Sequence, residues 1–138
     1  MKEDTFAMIK PAAVEANQVG AILNIIEEHG FRISAIKKLI MSKKEAQDFY
    51  GEHREKGFFD ELTNFMSSSG VITLVLTKEN AVQDFRKLIG ATDPEEAAEG
   101  TIRKQFAKSM RKNAVHGSDS KESAEREANY FFSNLERF

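Results

Sequence analysis

The chain has 138 residues, a net charge of −2 and no cysteine. That length suits one domain with a substantial core, and no shift in composition marks a linker, so we predict a single domain over residues 1–138. A chain without cysteine has no disulfide and no thiolate metal site, and no apolar run reaches the length of a membrane span. Together with the lack of a basic-then-apolar N-terminus, these features predict a cytoplasmic protein with no membrane partner.

A basic stretch over 103–112 is the feature most suited to nucleic acid. The net charge of −2 argues against non-specific nucleic-acid binding, and a row of charges on a helix is typical of a solvated face. The sequence therefore favours a protein without a nucleic-acid partner and keeps that partner as a secondary alternative. The stretch contains Arg103, Lys104, Lys108, Arg111 and Lys112.

The N-terminal half alternates strand and helix patterns. A strand over 5–9 is stopped by Pro11, because proline lacks the N–H that a strand interior uses, and Lys10 lies at its end. Apolar residues then repeat with helical spacing from a predicted cap at Asn17 to a stop at Gly30. The next predicted elements are a strand over 31–41, a helix that begins with a Ser42–Glu45 capping box, a helix over 58–66 and an apolar central strand over 71–76.

The C-terminal half continues this alternation. Asn80 is predicted to cap a helix that Gly90 ends, and residues 92–96 have the cap, proline and acids typical of a short helix within a loop over 90–101. A helix over 102–110, a strand at 114–116 and a helix with an Asp119–Glu122 capping box follow. The order β-α-β-α-α-β-α-α-β-α indicates an α/β (α+β) domain. It leaves open whether the four strands run parallel or antiparallel.

The segment from Asn113 to Ser120 carries the strongest functional signal. It places His116 between a short apolar run and a helix start, where unsatisfied helix N–H groups favour an anion, phosphate above all. Gly117 removes the Cβ beside the ring, so backbone or ligand can approach closely. A single histidine is more often packed or solvated, and periodicity alone leaves that alternative open.

Five motifs occur in an order typical of one family. They are Lys10-Pro11 after the first strand, Tyr50 with Phe58-Phe59, Gly90-Ala-Thr92-Asp-Pro94, Gly100-Thr-Ile-Arg103 and Asn113-Ala-Val-His116-Gly-Ser-Asp-Ser120. On these motifs the chain resembles a nucleoside diphosphate kinase over nearly its whole length. The resemblance implies a ferredoxin-like β-α-β-β-α-β core with a four-stranded antiparallel sheet flanked by helices. It also implies ping-pong transfer of the γ-phosphoryl group of a nucleoside triphosphate, typically ATP, to a nucleoside diphosphate through a phosphohistidine on His116.

The same resemblance implies a set of site residues. In it, Glu127 orients the histidine beside Ser118, and Phe58 with Leu62 forms an apolar platform for the base. Taken singly, each residue has an ordinary alternative as a surface charge, a core side chain or a helix cap, and their joint spacing is what favours function. The implied catalytic residues are His116, Lys10, Tyr50, Asn113, Glu127 and Ser118. The implied nucleotide-binding residues are Lys10, Phe58, Leu62, Arg86, Thr92, Arg103 and Asn113.

Cofactor and partners follow from the same comparison. The sequence contains neither a P-loop nor a G-x-G-x-x-G motif, which excludes those two ways of holding ATP. The resemblance implies Mg²⁺ held mainly by the nucleotide phosphates and not by protein side chains, and a homo-oligomer, tetramer or hexamer, built from dimers. The main alternative is a nucleotide-binding regulatory protein without turnover, which would be expected to lack His116 or one of its cationic neighbours.

Overall fold

A computed structural model of the chain describes residues 1–110 and 112–138, so Arg111 of the basic stretch lies outside the described residues. No helix within those ranges is long and apolar enough to cross a membrane. The elements are β1 (Lys2–Ile9), α1 (Pro11–Glu15), α2 (Val19–Glu28), β2 (Arg32–Leu39), α3 (Lys43–Phe49), α4 (Phe59–Met66), β3 (Val71–Glu79), α5 (Ala81–Ile89), α6 (Ile102–Phe106), β4 (Val115–Gly117) and α7 (Lys121–Phe131), with short 3-10 helices at Gly51–His53 and Asn134–Glu136.

The four strands form one antiparallel sheet in the order β2-β3-β1-β4. This confirms the antiparallel α+β fold that the family resemblance implied and settles what the element order left open. β1 lies between β3 and β4, and Met8 is paired with His116 in the register of β1 and β4. The end of β1 and the histidine therefore lie side by side.

Helices cover both faces of the sheet, and each face has its own apolar core. One core contains residues of α2, α5 and α6, and the other contains residues of α3, α4 and α7. Because side chains alternate along a strand, β4 turns Val115 and Gly117 to the first core and His116 to the second. A Cβ on Gly117 would lie 2.9 Å from Phe85 Cδ2. At Gly117 the absence of a Cβ thus allows a close approach by a core ring.

The first helices confirm one predicted cap and correct another. Ser42 begins α3 with a complete capping box to Glu45, as predicted. Asn17 does not cap α2, because its φ of 60° is left-handed and α2 begins after Gln18. The reason is α1, which the periodicity does not predict: it begins at Pro11 and leaves Asn17 in the turn between two helices, a conformation asparagine tolerates.

The excursion between α5 and β4 is less helical than predicted. Residues 92–96 form bends and turns: the Glu96 N–H donates to the Asp93 carbonyl at 3.0 Å, and the Asp93 side chain accepts from the Glu95 N–H at 3.0 Å, but no helix continues from there. The predicted helix over 102–110 is α6, which ends at Phe106. Thr101, not predicted as a cap, begins it.

Of two other helix starts, one differs from the prediction and one agrees with it in position. Ser120 and not Asp119 caps α7, with its Oγ accepting from the Ser123 N–H at 3.1 Å. Asn80 lies at the start of α5 in a left-handed conformation, and its side chain makes no cap hydrogen bond. Sequence spacing located both helices correctly but did not identify which side chain turns back onto the backbone.

Candidate active site

His116 is held by a buried carboxylate. Its Nε2 lies 2.9 Å from Glu127 Oε1, and the same oxygen accepts a hydrogen bond from Ser118 Oγ at 2.6 Å. Ser118 is itself fixed to β1, because its N–H donates to the Phe6 carbonyl at 3.1 Å. In the neutral imidazole this arrangement puts the proton on Nε2, which donates to Glu127, and leaves the lone pair on Nδ1.

Glu127 reaches the histidine because α7 packs along β1. Ala124, Glu127 and Ala128 form the buried face of this helix, and Glu127 is 4% exposed. A buried carboxylate is costly unless it accepts hydrogen bonds or faces a positive charge, and here Ser118, His116 and the guanidinium of Arg126 at 3.8 Å supply them. The carboxylate is therefore placed to stabilise positive charge on the imidazole.

Aromatic rings surround the other sides of the imidazole. The ring of Tyr50 lies edge-on to that of His116 with 6.2 Å between centroids, and Phe49 lies at 5.5 Å. Burial, and then the charge of Glu127, raise the pKa of the Tyr50 hydroxyl, which stays protonated at neutral pH. Its oxygen is buried and has no hydrogen-bond partner among residues 1–110 and 112–138. A donor is thus available beside the histidine.

Lys10 and Asn113 meet at a strained turn next to β4. The Lys10 N–H donates to the Ala114 carbonyl at 2.8 Å, and Val115 N donates to Asn113 O at 2.9 Å across Ala114, whose φ is +75°. This γ-turn is a conformation that alanine rarely adopts, and such strain concentrates at functional sites. Within the described chain the buried Asn113 Oδ1 has no partner. Burial, and then repulsion by Arg103, lower the pKa of Lys10 to about 7.

A cationic cleft of about 230 Å³ opens beside Gly117. Arg86 Nη1 donates to the Asp119 carbonyl at 3.2 Å, while Arg103 donates to the carbonyls of Gly90 and Val115. Burial, and then Arg86, lower the pKa of Arg103 to about 10, which leaves it cationic at neutral pH. The cleft therefore favours an anion. Its lining residues are Arg86, Ile89, Gly90, Ala91, Thr92, Arg103, Gly117 and Asp119.

A row of rings leads from the histidine to Phe58. Tyr50 is followed by His53 at 6.4 Å and then by Phe58 at 5.7 Å, measured between centroids. Phe58 is half-buried just before α4, and Lys56 Nζ lies 5.7 Å from its centroid. Leu62, on α4, packs against the second core. His53 is a site neighbour that the sequence motifs do not include, although its position one helical turn after Tyr50 is a signal that it lies on the same side of the site.

The structure thus sorts the predicted site residues into neighbouring groups. His116, Glu127, Ser118 and Tyr50 form one cluster. Lys10 and Asn113 adjoin it through the Ala114 turn, and Arg86, exposed Thr92 and Arg103 line the cleft. Phe58 stands at the far end of the aromatic row, and Leu62 belongs to the core behind it.

Comparison with known proteins identifies one family. The family model described as nucleoside diphosphate kinase matches residues 3–137. A nucleoside diphosphate kinase of Lawsonia intracellularis is 55% identical over 135 residues, which is 98% of each chain. One of Salinibacter ruber is 55% identical over 130 residues, covering 94% of this chain and 92% of the relative.

Solved structures give the same result. The nucleoside diphosphate kinase of Aquifex aeolicus superposes with a TM-score of 0.98 at 43% identity and full coverage of both chains. A halophilic nucleoside diphosphate kinase of Halobacterium salinarum, in complex with CDP, gives 0.96 at 35% identity, covering 100% of this chain and 92% of that one. Fold and site together define a nucleotide-binding phosphotransferase. The chain belongs to the nucleoside diphosphate kinase family.

Proposed function

We propose that this enzyme transfers the γ-phosphoryl group of a nucleoside triphosphate to a nucleoside diphosphate through a phosphohistidine on His116. The observation that carries the proposal is the pairing of His116 Nε2 with buried Glu127, next in the chain to Gly117, which lines a cleft together with Arg86 and Arg103. The pairing orients the ring and leaves Nδ1 as the nucleophile. The arginines supply the charge that a phosphoryl group requires.

The proposed phosphoryl transfer consists of two half-reactions. Nδ1 attacks the γ-phosphorus, and the bond to the bridging oxygen breaks, so the nucleoside diphosphate leaves with the electron pair. The Glu127 carboxylate offsets the positive charge that develops on the imidazole. A terminal β-phosphate oxygen of the second nucleotide then attacks the same phosphorus, and the P–N electron pair returns to His116.

Cationic and polar side chains would stabilise the transferring group. Lys10, Arg86 and Arg103 neutralise charge that spreads over the phosphoryl oxygens. The Tyr50 hydroxyl, the Asn113 amide and the Thr92 hydroxyl add uncharged donors. The support for this assignment is the Tyr50 hydroxyl, which the fold buries without a partner in the described chain, since buried polar groups normally have partners.

Phe58 would stack against the base, with Leu62 packed behind it. Stacking uses a π-face that every base has, so a platform without hydrogen bonds to base edges accepts purines and pyrimidines alike. CDP, which the Halobacterium salinarum relative binds, and GDP are therefore both suitable acceptors to test.

Mg²⁺ is the proposed cofactor, held mainly by the nucleotide. The cleft fits this arrangement, because Asp119 is the one acidic residue among those that line it and its other charged residues are Arg86 and Arg103. Mg²⁺ bound to the phosphates neutralises part of their charge. The assembly of dimers into a tetramer or hexamer, and the cytoplasmic location, stay predictions.

Labelling with ATP tests the proposal. In the absence of acceptor, γ-labelled ATP should place label on the wild-type protein, and the label should survive alkali and be lost in acid, as expected for a phosphoramidate. His116→Ala should take up no label. If His116→Ala remains folded and is labelled at the wild-type level, the nucleophile is a different residue.

A further inference from the structure

Arg103 is held at the cleft by two backbone carbonyls from different elements. Its Nη1 donates to Gly90 O at 3.0 Å, and its Nη2 donates to Val115 O at 3.0 Å. The first carbonyl lies at the end of α5 and the second at the start of β4. The position of the guanidinium at the cleft therefore depends on how the start of α6 is held against α5 and β4.

Gly90 and Thr101 lie against each other at the two ends of the loop over 90–101, which joins α5 to α6. Gly90 has φ of +87°, and a Cβ there would lie 2.7 Å from both Cβ and Oγ1 of Thr101. No side chain fits at Gly90 without moving Thr101, which is only 8% exposed. The two residues thus set the distance between the end of α5 and the start of α6.

The Thr101 hydroxyl also fixes the first turn of α6. Its Oγ1 accepts a hydrogen bond from the Lys104 N–H at 3.3 Å and donates to the Ala98 carbonyl at 2.7 Å. The Thr101 side chain, two residues before Arg103, therefore caps α6 and links it to the loop over 90–101. A valine of the same shape would fill the space and lose both hydrogen bonds.

We propose that Thr101 is a positioning residue for phosphoryl transfer: it caps α6 against Gly90 and thereby fixes the Arg103 guanidinium at the cleft. The inference rests on the proposed function, in which Arg103 neutralises the transferring phosphoryl group. Thr101 lies outside the lining of the cleft, so it acts through residues that line it: Gly90, against which it packs, and Arg103, two residues further along the chain.

Single-turnover phosphorylation of His116 by ATP tests this role in the full-length protein. Thr101→Val should lower the transfer rate by about tenfold, a smaller loss than the roughly 100- to 1000-fold that follows removal of a transition-state donor itself. Thr101→Ser keeps the hydroxyl and should stay within about threefold of wild type. A folded Thr101→Val protein with the wild-type rate would overturn the proposal.

Ser42→Ala is the matched control, because it also removes a side-chain cap, the 3.0 Å bond from the Glu45 N–H. It should lower the unfolding temperature and leave the transfer rate unchanged. If Thr101→Val does not fold, the transfer rate of Thr101→Ser tests the proposal instead. A roughly tenfold loss of this rate in a variant that keeps the capping hydroxyl would contradict the inference.

A double substitution separates a positioning role from a merely structural one. If Thr101 acts through Arg103, Thr101→Val/Arg103→Lys should be no slower than Arg103→Lys alone. Independent, multiplying losses would overturn the proposal. Wild-type protein that is not phosphorylated on His116 would refute the proposed function instead, which keeps the two failures distinct.

Discussion

The buried ammonium group of Lys10 loses its proton more readily in the free enzyme than an exposed lysine does. Lys10 is 6% exposed, and burial and then Arg103 lower its pKa from 10.5 to about 7. Between these two pH values the unfolded chain holds a proton that the folded protein has lost. Stability therefore rises with pH from about 7 to 10.5, and a Lys10→Met protein should lack this rise.

Nucleotide binding should take up a proton at Lys10. Bound phosphate favours the ammonium form, so above a free-enzyme pKa of about 7 the affinity should fall with rising pH, by at most about tenfold per pH unit. Calorimetry at pH 8 in two buffers of different ionisation enthalpy measures the proton uptake. Lys10→Met should abolish it, whereas equal uptake by both proteins would place the titrating group elsewhere.

Phe58 should contribute to affinity without selecting a base. We expect Phe58→Ala to weaken binding of ADP, GDP and CDP alike, by about 1–3 kcal/mol, because stacking needs only the face of the ring. Phe58→Tyr keeps that face and serves as the control. A loss confined to one of the three nucleotides, measured by equilibrium binding, would show that the platform is misassigned.

The two arginines of the cleft bind different parts of the backbone. Among the described residues Arg86 donates to the Asp119 carbonyl, whereas Arg103 ties the end of α5 to the start of β4. Sequence spacing alone treats them as equivalent phosphate ligands. The structure adds a scaffold role to Arg103, which no local pattern encodes because its partners are backbone atoms 12 and 13 residues away.

Replacing each arginine by lysine should separate these roles. A lysine ammonium cannot copy the two-pronged guanidinium, so both variants should transfer phosphate more slowly. Arg103→Lys should also lower the free energy of unfolding by about 1–3 kcal/mol, because it loses hydrogen bonds to carbonyls. Single-turnover rates and denaturant unfolding of the two variants and the double give the comparison.

The double variant should show less than the sum of the two single losses, because both arginines neutralise one phosphoryl group. The opposite pattern, in which Arg86→Lys unfolds easily but reacts at the wild-type rate while folded, would make Arg86 scaffold as well.

Helices and strands with strong periodicity were predictable, and their ends were less so. The stripe of α2 and the apolar run of β3 depend on residues close in sequence, which is why pattern alone locates them. Ser120 and not the predicted Asp119 caps α7, and residues 92–96 form turns and not the predicted helix. Side-chain hydrogen bonds to neighbouring N–H groups, which spacing does not reveal, form at both places.

At the scale of the molecule, the site depends on strand order. The pairing of Met8 with His116 brings the end of β1 beside the histidine, and α7 then lays Glu127 against its ring. Neither contact follows from periodicity, since both join segments whose pairing is set by long-range packing. Family resemblance supplied these residues, and the structure supplies the physical reason that they meet.

Transfer from isolated phosphoenzyme tests directly whether the phosphoryl group passes through His116. Protein labelled by ATP and freed of nucleotide should pass its label to added GDP or CDP in one turnover, at a rate no slower than steady-state turnover, and should return unlabelled. Label that stays on the protein, or that appears as inorganic phosphate while GDP and CDP remain unlabelled, would contradict transfer through His116.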